Sequence, residues 1–269
     1  MRCRRGLSNS LKRKQDLRNP LESGWGNGKP RSRRGGSHDR TRGCSYASMW
    51  KAVRTLAGSL GEGLILDVGS GTGRFAKPLQ QLGLTVVGVD LSKEMIRVSA
   101  AKKFKNLFVT DAWTLPFKPK AFDSTVSVHL LHLVADWKLV LAEIARVTKN
   151  NLLTVFDEFA CFGVDPHEEY WRLAGQKFGY VTPHESDLTS FLPPLKLEHV
   201  ATDVKTANVL LQDLRKKAFS YHWAVPDSKH SQVIREMEKF RNKRLTCKIY
   251  VCVWKISDVE DFLKKWKPF

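Results

Sequence analysis

The sequence predicts an α/β fold, a doubly wound and mostly parallel sheet of seven strands with an antiparallel edge strand. Three observations carry that expectation. Past residue 45, short apolar runs that stop at glycine or aspartate alternate with stretches whose apolar residues recur every three or four positions. The connections between them are short, so consecutive strands run parallel and are joined through helices that cover both faces of the sheet. One late run, 245–254, differs from the others. It alternates apolar and polar residues with a period of two, the signature of a half-buried strand and here of an antiparallel edge.

In order along the chain, Trp50, Val53, Leu56 and Leu60 mark a first helix face. Leu64-Ile65-Leu66-Asp67-Val68 is an apolar run that stops at glycines, as a buried parallel strand does. Phe75, Leu79 and Leu82 mark a helix ending at Gly83. Thr85 to Val89 is a second strand ending at Asp90, and Ser92 caps a helix carrying Met95, Ile96 and Ala100. Leu107-Phe108-Val109 is a third strand, ending at Thr110-Asp111. Phe122 to Val128 is a fourth. Trp137 to Val147 is helical, and Leu152 to Phe156 is a fifth strand. Residues 160–194 hold two short helices broken up by Pro166, Pro183, Pro193 and Pro194. Leu195 to Val204 is a strand, 207–243 is helical with an interruption at Pro226, and 258–266 closes with a helical turn.

Ligands of such sheets bind beyond the carboxyl ends of the strands. The most informative stretch there is Leu66-Asp67-Val68-Gly69-Ser70-Gly71-Thr72-Gly73-Arg74-Phe75, which leaves a strand and opens a helix. Glycines let the backbone approach a ligand, with N–H groups at the helix start available to it. Asp67 lies two residues before the first glycine, and Asp90, at the end of the next strand, is placed to take two ribose hydroxyls. A Gly-x-Gly-x-x-Gly nicotinamide pattern meets Arg74 or Ala76 at its last position, depending on the glycine it starts from. That leaves a dinucleotide enzyme open but gives Asp67 no role. A nucleoside carrying an amino acid gives it one, the orientation of a cationic amino group.

Asp67-Val68-Gly69-Ser70-Gly71-Thr72-Gly73 resembles motif I of the class I S-adenosylmethionine-dependent methyltransferases. Val87-Gly88-Val89-Asp90-Leu91-Ser92 resembles the segment that follows it. Asp111-Ala112-Trp113-Thr114-Leu115-Pro116-Phe117 resembles the adenine-contacting segment, and Phe122 to Ser127 with His129-Leu130-Leu131-His132 the fourth strand and its loop in the type 11 subgroup. The likeness covers about residues 50–156. Beyond it, Leu214-Arg215 through Phe219-Ser220, Trp223 and Pro226-Asp227 are similar to a C-terminal signature of some bacterial members. The resemblance implies a Rossmann-like fold with S-adenosyl-L-methionine as cofactor. By it, Gly69, Ser70 and Gly71 line the cofactor, and Asp67 faces its methionine part. Asp90 takes the ribose hydroxyls, Leu91 and Met95 lie against the adenine, Asp111 accepts from the adenine amino group, Ala112 offers a backbone N–H, and His129 lies near the sulfonium. One departure stands out. Where the family has a Pro-Gly-Gly turn before the fifth strand, this chain has Thr148-Lys149-Asn150-Asn151, in which Asn150 or Asn151 is expected to make the turn.

Methyl transfer from a sulfonium needs chiefly alignment of donor and acceptor, and a base only where the acceptor must lose a proton. His129 is the weak catalytic candidate, against a plain role in loop packing or cofactor lining. His132, His167, Glu168, Glu169, His184 and His222 follow, each with loop or surface polarity as the alternative. Trp171, Tyr180, Tyr221 and Trp223 are candidate walls of an acceptor pocket, against core packing. Cys161 is expected as a buried thiol. The amino-methylating DNA enzymes carry an Asp/Asn-Pro-Pro-aromatic tetrapeptide where this chain has Ser127-Val128-His129-Leu130, and no catalytic Pro-Cys occurs. Base methylation of those kinds is not expected, and the expected acceptor is a small molecule; the alternatives are an RNA-directed methyltransferase that uses the basic N-terminal segment and a non-catalytic cofactor-binding module.

The chain has 269 residues and a formal charge of +18. Residues 1–44 hold 13 basic and 3 acidic residues, a net of +10, and the remaining 225 a net of +8. This glycine- and serine-rich basic segment is expected to be a disordered extension, with 45–269 as the methyltransferase domain and 157–194 and 207–243 as lid and insertion segments. Three readings of the extension stand open: a solvated tail with a start near Met49, an electrostatic arm for RNA or an anionic surface, and an organelle-targeting segment. The clusters Arg215-Lys216-Lys217 and Arg241-Lys243-Arg244 are expected to be solvated helix faces. No apolar run is long enough for a membrane span. Cys3, Cys44, Cys161, Cys247 and Cys252 have no zinc-site spacing, so no metal is expected. The expected compartment is cytoplasmic.

Overall fold

The computed structural model describes residues 45–134, 136–180, 188–218, 222 and 225–266. The readings of 1–44, including the nucleic-acid arm, and those of His184, Tyr221 and Trp223 fall outside them.

Helix α1 (Tyr46–Leu60) is capped by Ser45, whose Oγ accepts from the Ser48 amide. Strand β1 (Leu64–Val68) leads into the glycine loop and the short α2 (Ala76–Gln81). Then come β2 (Thr85–Asp90), α3 (Lys93–Ala101) capped by Ser92, β3 (Leu107–Val109) and β4 (Phe122–Val126). A single 3-10 turn at Leu131–Leu133 precedes α4 (Trp137–Val147) and the long β5 (Thr148–Ala160). The later half holds α5 (Pro166–Phe178), α6 (Leu188–Phe191), β6 (Lys196–Thr206), α7 (Asn208–Arg215), α8 (Asp227–Met237), β7 (Arg244–Lys255) and α9 (Ile256–Lys265).

The seven strands form one sheet in the order β3-β2-β1-β4-β5-β7-β6. β1 pairs in parallel with both β2 and β4, so the strand order reverses between β1 and β4. A crevice opens at such a reversal, beyond the carboxyl ends of the two strands. Side chains alternate between two buried clusters, one on each face. Ile65, Val86 and Leu153 point into one with α1, α2, α5, α7 and α8; Leu66, Val87 and Leu152 point into the other with α4 and α9. The segments expected as lid and insertion thus contribute Tyr170, Leu173, Leu210 and Val233 to the same buried cluster as β1.

Three expectations are corrected. β7 is not the sheet's edge. It lies between β5 and β6, antiparallel to both, and β6 is the edge. The period of two holds only as far as Tyr250; Val251 to Trp254 are all buried because Cys252 and Trp254 join the second cluster, with α9, on the face where Thr246, Lys248 and Tyr250 are part-exposed. Second, Asn150 and Asn151 make no turn. The chain passes straight from α4 into β5, and the Thr148 hydroxyl closes the join by donating to the Ile144 carbonyl at 2.6 Å. Third, Pro166 does not break a helix but starts one. It sits in the first turn of α5 behind the capping Asp165, where its missing N–H costs nothing.

Candidate functional site

The glycine loop sits at the sheet reversal. Gly69, Gly71 and Gly73 all have left-handed backbones, with φ of 76°, 54° and 77°. For two of them packing adds a second reason. A side-chain carbon at Gly69 would come within 3.1 Å of Leu130, and one at Gly73 within 2.6 Å of the Ser99 hydroxyl. At Gly71 the nearest atom would be 3.9 Å away, so that position opens onto unfilled space.

Four of the loop's N–H groups, those of Gly69, Ser70, Gly71 and Gly73, are turned inward. The amides of Gly69 and Ser70 both donate to the Val89 carbonyl at 2.9 Å, that of Gly73 to the Ser70 carbonyl, and that of Gly71 to Asp90 Oδ2 at 2.8 Å. A pyrophosphate site needs such donors free and aimed at the anion. This loop instead braces itself against β2 and presents carboxylates.

Asp67 lies on β1, between Gly88 of β2 and Val126 of β4, and is almost fully buried. Burial, with the nearby Asp90 charge adding to it, pushes its carboxyl up to about 7. An anion would raise it further, while a cation would relieve it. Asp90 is held from two sides, Oδ2 by the Gly71 amide and Oδ1 by the Ser92 amide at 2.8 Å. Burial raises its carboxyl too, and the two amides oppose that shift. These bonds fix the carboxylate at the tip of β2 and leave each oxygen a further lone pair for a hydroxyl.

The other expected cofactor residues cluster around this tip. Leu91 follows Asp90 and is 64% exposed, an unusual placement for a leucine; the half-buried Met95 sits in the first turn of α3, its amide donating to Ser92 Oγ. Asp111 and Ala112 follow β3, which pairs with β2 so that Val109 stands opposite Asp90. Asp111 is exposed and accepts from the Trp113 amide at 3.0 Å. The Ser70 hydroxyl turns away from the loop's open side. It packs toward Gly88 and is buried without a hydrogen-bond partner.

His129 stands just past the end of β4 with a left-handed backbone, φ 55°, uncommon for a residue that is not glycine. Its Nε2 lies 3.8 Å from Oδ2 of Asp157 on β5, a partner that spacing along the chain did not point to. The His132 ring meets it edge-on at 6.1 Å. The next residue, Leu130, is the one packed on Gly69, so this loop and the glycine loop face each other across the crevice.

Other candidates are used elsewhere. Glu169 is clasped by Arg172 at 2.5 and 2.8 Å and by Lys239 at 2.6 Å, which hold its carboxyl down at about 2, too acidic for a base. His222 is completely buried among Tyr170, Trp171, His167 and His230, and burial drives its ring down to about 2. Trp171 belongs to the same buried cluster, and half-buried Tyr180 packs on its edge. Cys161 is buried just past β5. Arg215 and Arg241 both bond to Glu238; the expected solvated helix faces do not form, since Arg241 and Lys243 lie in the connection to β7, Arg244 starts that strand, and the mostly covered Lys217 donates to the Val225 carbonyl. No helix among the described residues is long and apolar enough to cross a membrane.

A family model described as a methyltransferase domain matches residues 66–156, from the glycine loop's strand to the middle of β5. Over this stretch the chain is similar to methyltransferase domains. The family, class I and type 11, uses S-adenosylmethionine. The demethylmenaquinone methyltransferase of Renibacterium salmoninarum is 37% identical over 97 residues, 36% of this chain and 41% of that one. The malonyl-[acyl-carrier protein] O-methyltransferase of Hamiltonella defensa is 28% identical over 137 residues, 51% of each chain. The match thus spans about half or less of these relatives' lengths. The YcgJ protein of Bacillus subtilis shares the fold of the methyltransferase domain and its later half, at a TM-score of 0.50 and 18% identity over 76% of this chain and 97% of that one. The residues present fit the cofactor: a buried acid suits a cationic amino group, a braced acid suits ribose hydroxyls, Gly71 opens onto space, and the amides of Gly69, Ser70, Gly71 and Gly73 are already bonded within the protein.

Proposed function

We propose that this chain transfers a methyl group from S-adenosylmethionine to a small-molecule acceptor by in-line displacement. One observation carries the reading: a glycine loop whose three glycine amides and Ser70 amide are bonded inside the protein, flanked by the buried Asp67 and the doubly held Asp90. That arrangement suits a cationic nucleoside and disfavours a dinucleotide. The cofactor would supply an electrophilic methyl on a sulfonium.

In this reading Asp67 meets the amino end of the cofactor and Asp90 holds the ribose hydroxyls. Leu91 and Met95 cover one side of the adenine, with Asp111 and Ala112 at its edge. Gly69, Ser70 and Gly71 supply the backbone surface, and His129 stands on the acceptor side. Residues 45–269 would act together as one domain, since the later helices share its buried cluster.

The test is transfer of a radiolabelled methyl group from S-adenosylmethionine into the small-molecule fraction of the source cell. Labelled product is expected with the intact chain and not with D90A, which also binds S-adenosylhomocysteine at least about tenfold more weakly, the scale of lost hydrogen bonds to a charged group. Label in RNA and none in small molecules would overturn the acceptor assignment.

A further inference from the structure

We infer that Cys247 forms a disulfide with Cys44, and that this bond clasps the basic segment 1–44 to the end of the sheet that carries the site. The inference is independent of the methyltransferase reading.

Cys247 lies on β7 and is disulfide-bonded. It is 1% exposed and points into the buried cluster that β1 shares with α1 and α5. Geometry narrows the choice of partner. Cys252 is five residues further along the same strand, roughly 17 Å away, and points into the cluster on the opposite face. Cys161 shares the face of Cys247 but keeps its thiol. Cys3 and Cys44, both in the basic segment, remain.

The root of that segment is fixed beside Cys247. Ser45, the residue after Cys44, donates to the Asp203 carboxylate of β6 from its amide and from its hydroxyl, the hydroxyl at 3.1 Å. The Ser48 hydroxyl donates to the same carboxylate at 2.8 Å. In the β6–β7 register Asp203 stands opposite Cys247. Such neighbours lie about 4.5 to 5.5 Å apart at Cα and direct their side chains to the same face. The carboxylate that receives the Ser45 amide is therefore on the face of the Cys247 sulfur. One peptide bond joins that amide to Cys44, so the Cα separation of about 4.4 to 6.8 Å that a disulfide needs is within reach. Cys3 lies far upstream of this anchor.

The bond's position gives it a consequence. β7 runs antiparallel to β5, and Cys247 stands opposite Phe159, past Asp157, at the carboxyl end of the parallel strands. A segment of net charge +10 is thus tied down at the end of the sheet where the crevice opens. In the reduced chain hydrogen bonds to Asp203 hold its root. In the oxidised chain the root is covalent, and the loop closed between 44 and 247 takes in most of the domain, which restricts the unfolded chain.

The oxidant is a low-molecular-weight disulfide. One cysteine thiolate attacks it and forms a mixed disulfide, releasing one small thiol. The second thiolate attacks the protein sulfur of that mixed disulfide and releases the other. Two protein thiols are oxidised, one small disulfide is reduced to two thiols, and the two protein protons pass to the leaving thiolates.

The test equilibrates the folded full chain with oxidised glutathione, blocks remaining thiols with N-ethylmaleimide in denaturant, and reads a tryptic digest by mass spectrometry without reduction. Trypsin puts each cysteine in its own peptide: Cys44 in 43–51, Cys247 in 245–248, Cys161 in 150–172, Cys252 in 249–255 and Cys3 in 3–4. A species joining 43–51 to 245–248 is expected in wild type and not in C44S. Linkage of 245–248 to any other peptide, or N-ethylmaleimide or glutathione on Cys247 in oxidised wild type, overturns the inference. Adding tris(2-carboxyethyl)phosphine should lower the thermal midpoint of oxidised wild type by roughly 5 to 15 °C and leave C44S unmoved. An unmoved wild type, or an equal fall in C44S, refutes the clasp.

Discussion

Replacing Asp67 by asparagine removes a carboxyl that the fold buries at a cost, one that a bond from the Ala76 amide offsets only in part and a bound cation would relieve. Its pKa in the folded chain is about 7, against 3.8 when exposed. The sign follows from linkage. Between those values the folded state holds a proton that the unfolded state has lost, so this group's contribution is fully present below pH 3.8 and is lost as pH rises through 7. Two pH units at about 1.4 kcal/mol each make wild type lose roughly 2 to 3 kcal/mol between pH 5 and pH 8 through Asp67 alone. D67N lacks that loss. Urea unfolding of both proteins at pH 5 and pH 8, without cofactor, should show D67N gaining on wild type by that amount over the interval. Apart from Asp90, whose charge is coupled to that of Asp67, the other titrating groups are common to both proteins and cancel. The same variant should bind S-adenosylhomocysteine at least about tenfold more weakly at pH 8, having lost the acid that meets its amino group. A stability difference that stays constant with pH would refute the claim that Asp67 is buried at a cost.

Further outcomes follow from packing. G73A should lose about 1 to 3 kcal/mol in urea unfolding, since φ is 77° there and the new carbon would press on the Ser99 hydroxyl. In Y170F the buried His230 Nδ1 loses the hydroxyl that donates to it at 2.7 Å, while Nε2 still donates to the Leu214 carbonyl; the cost should be about 1 to 3 kcal/mol. S92A removes the hydroxyl that caps α3 and should cost about 1 kcal/mol in urea unfolding, while S-adenosylhomocysteine binding in calorimetry should hardly change, because the backbone amide that steadies Asp90 is kept.

What the sequence made legible follows from where the physics is local. An apolar run buried on both faces and stopped by glycine or aspartate reads as a parallel strand, and β1, β2 and β4 were legible that way. So were the glycine loop and Asp90, because a left-handed backbone and a strand-end acid leave marks at fixed spacing. Edge and centre are not local properties. The stretch 245–250 alternates as an edge strand would, and only β6, which comes earlier in the chain but pairs on its outer side, makes β7 interior. β5 reads as ending at Phe156 because Asp157 and Glu158 interrupt the apolar run, yet pairing with β7 carries it on to Ala160. The same interruption hid the partner of His129, which sits on a different strand and declares itself only when the sheet is assembled. The loop amides were misjudged for a related reason: their acceptors, Val89 and Asp90, lie on the next strand.

The central claim is that the glycine loop and its two acids hold S-adenosylmethionine. Calorimetric titration of the full chain with S-adenosylhomocysteine, and separately with NAD, tests it most directly. The account predicts saturable one-to-one binding of S-adenosylhomocysteine, weakened in D90A, and no heat with NAD. Binding of NAD with none of S-adenosylhomocysteine would contradict it.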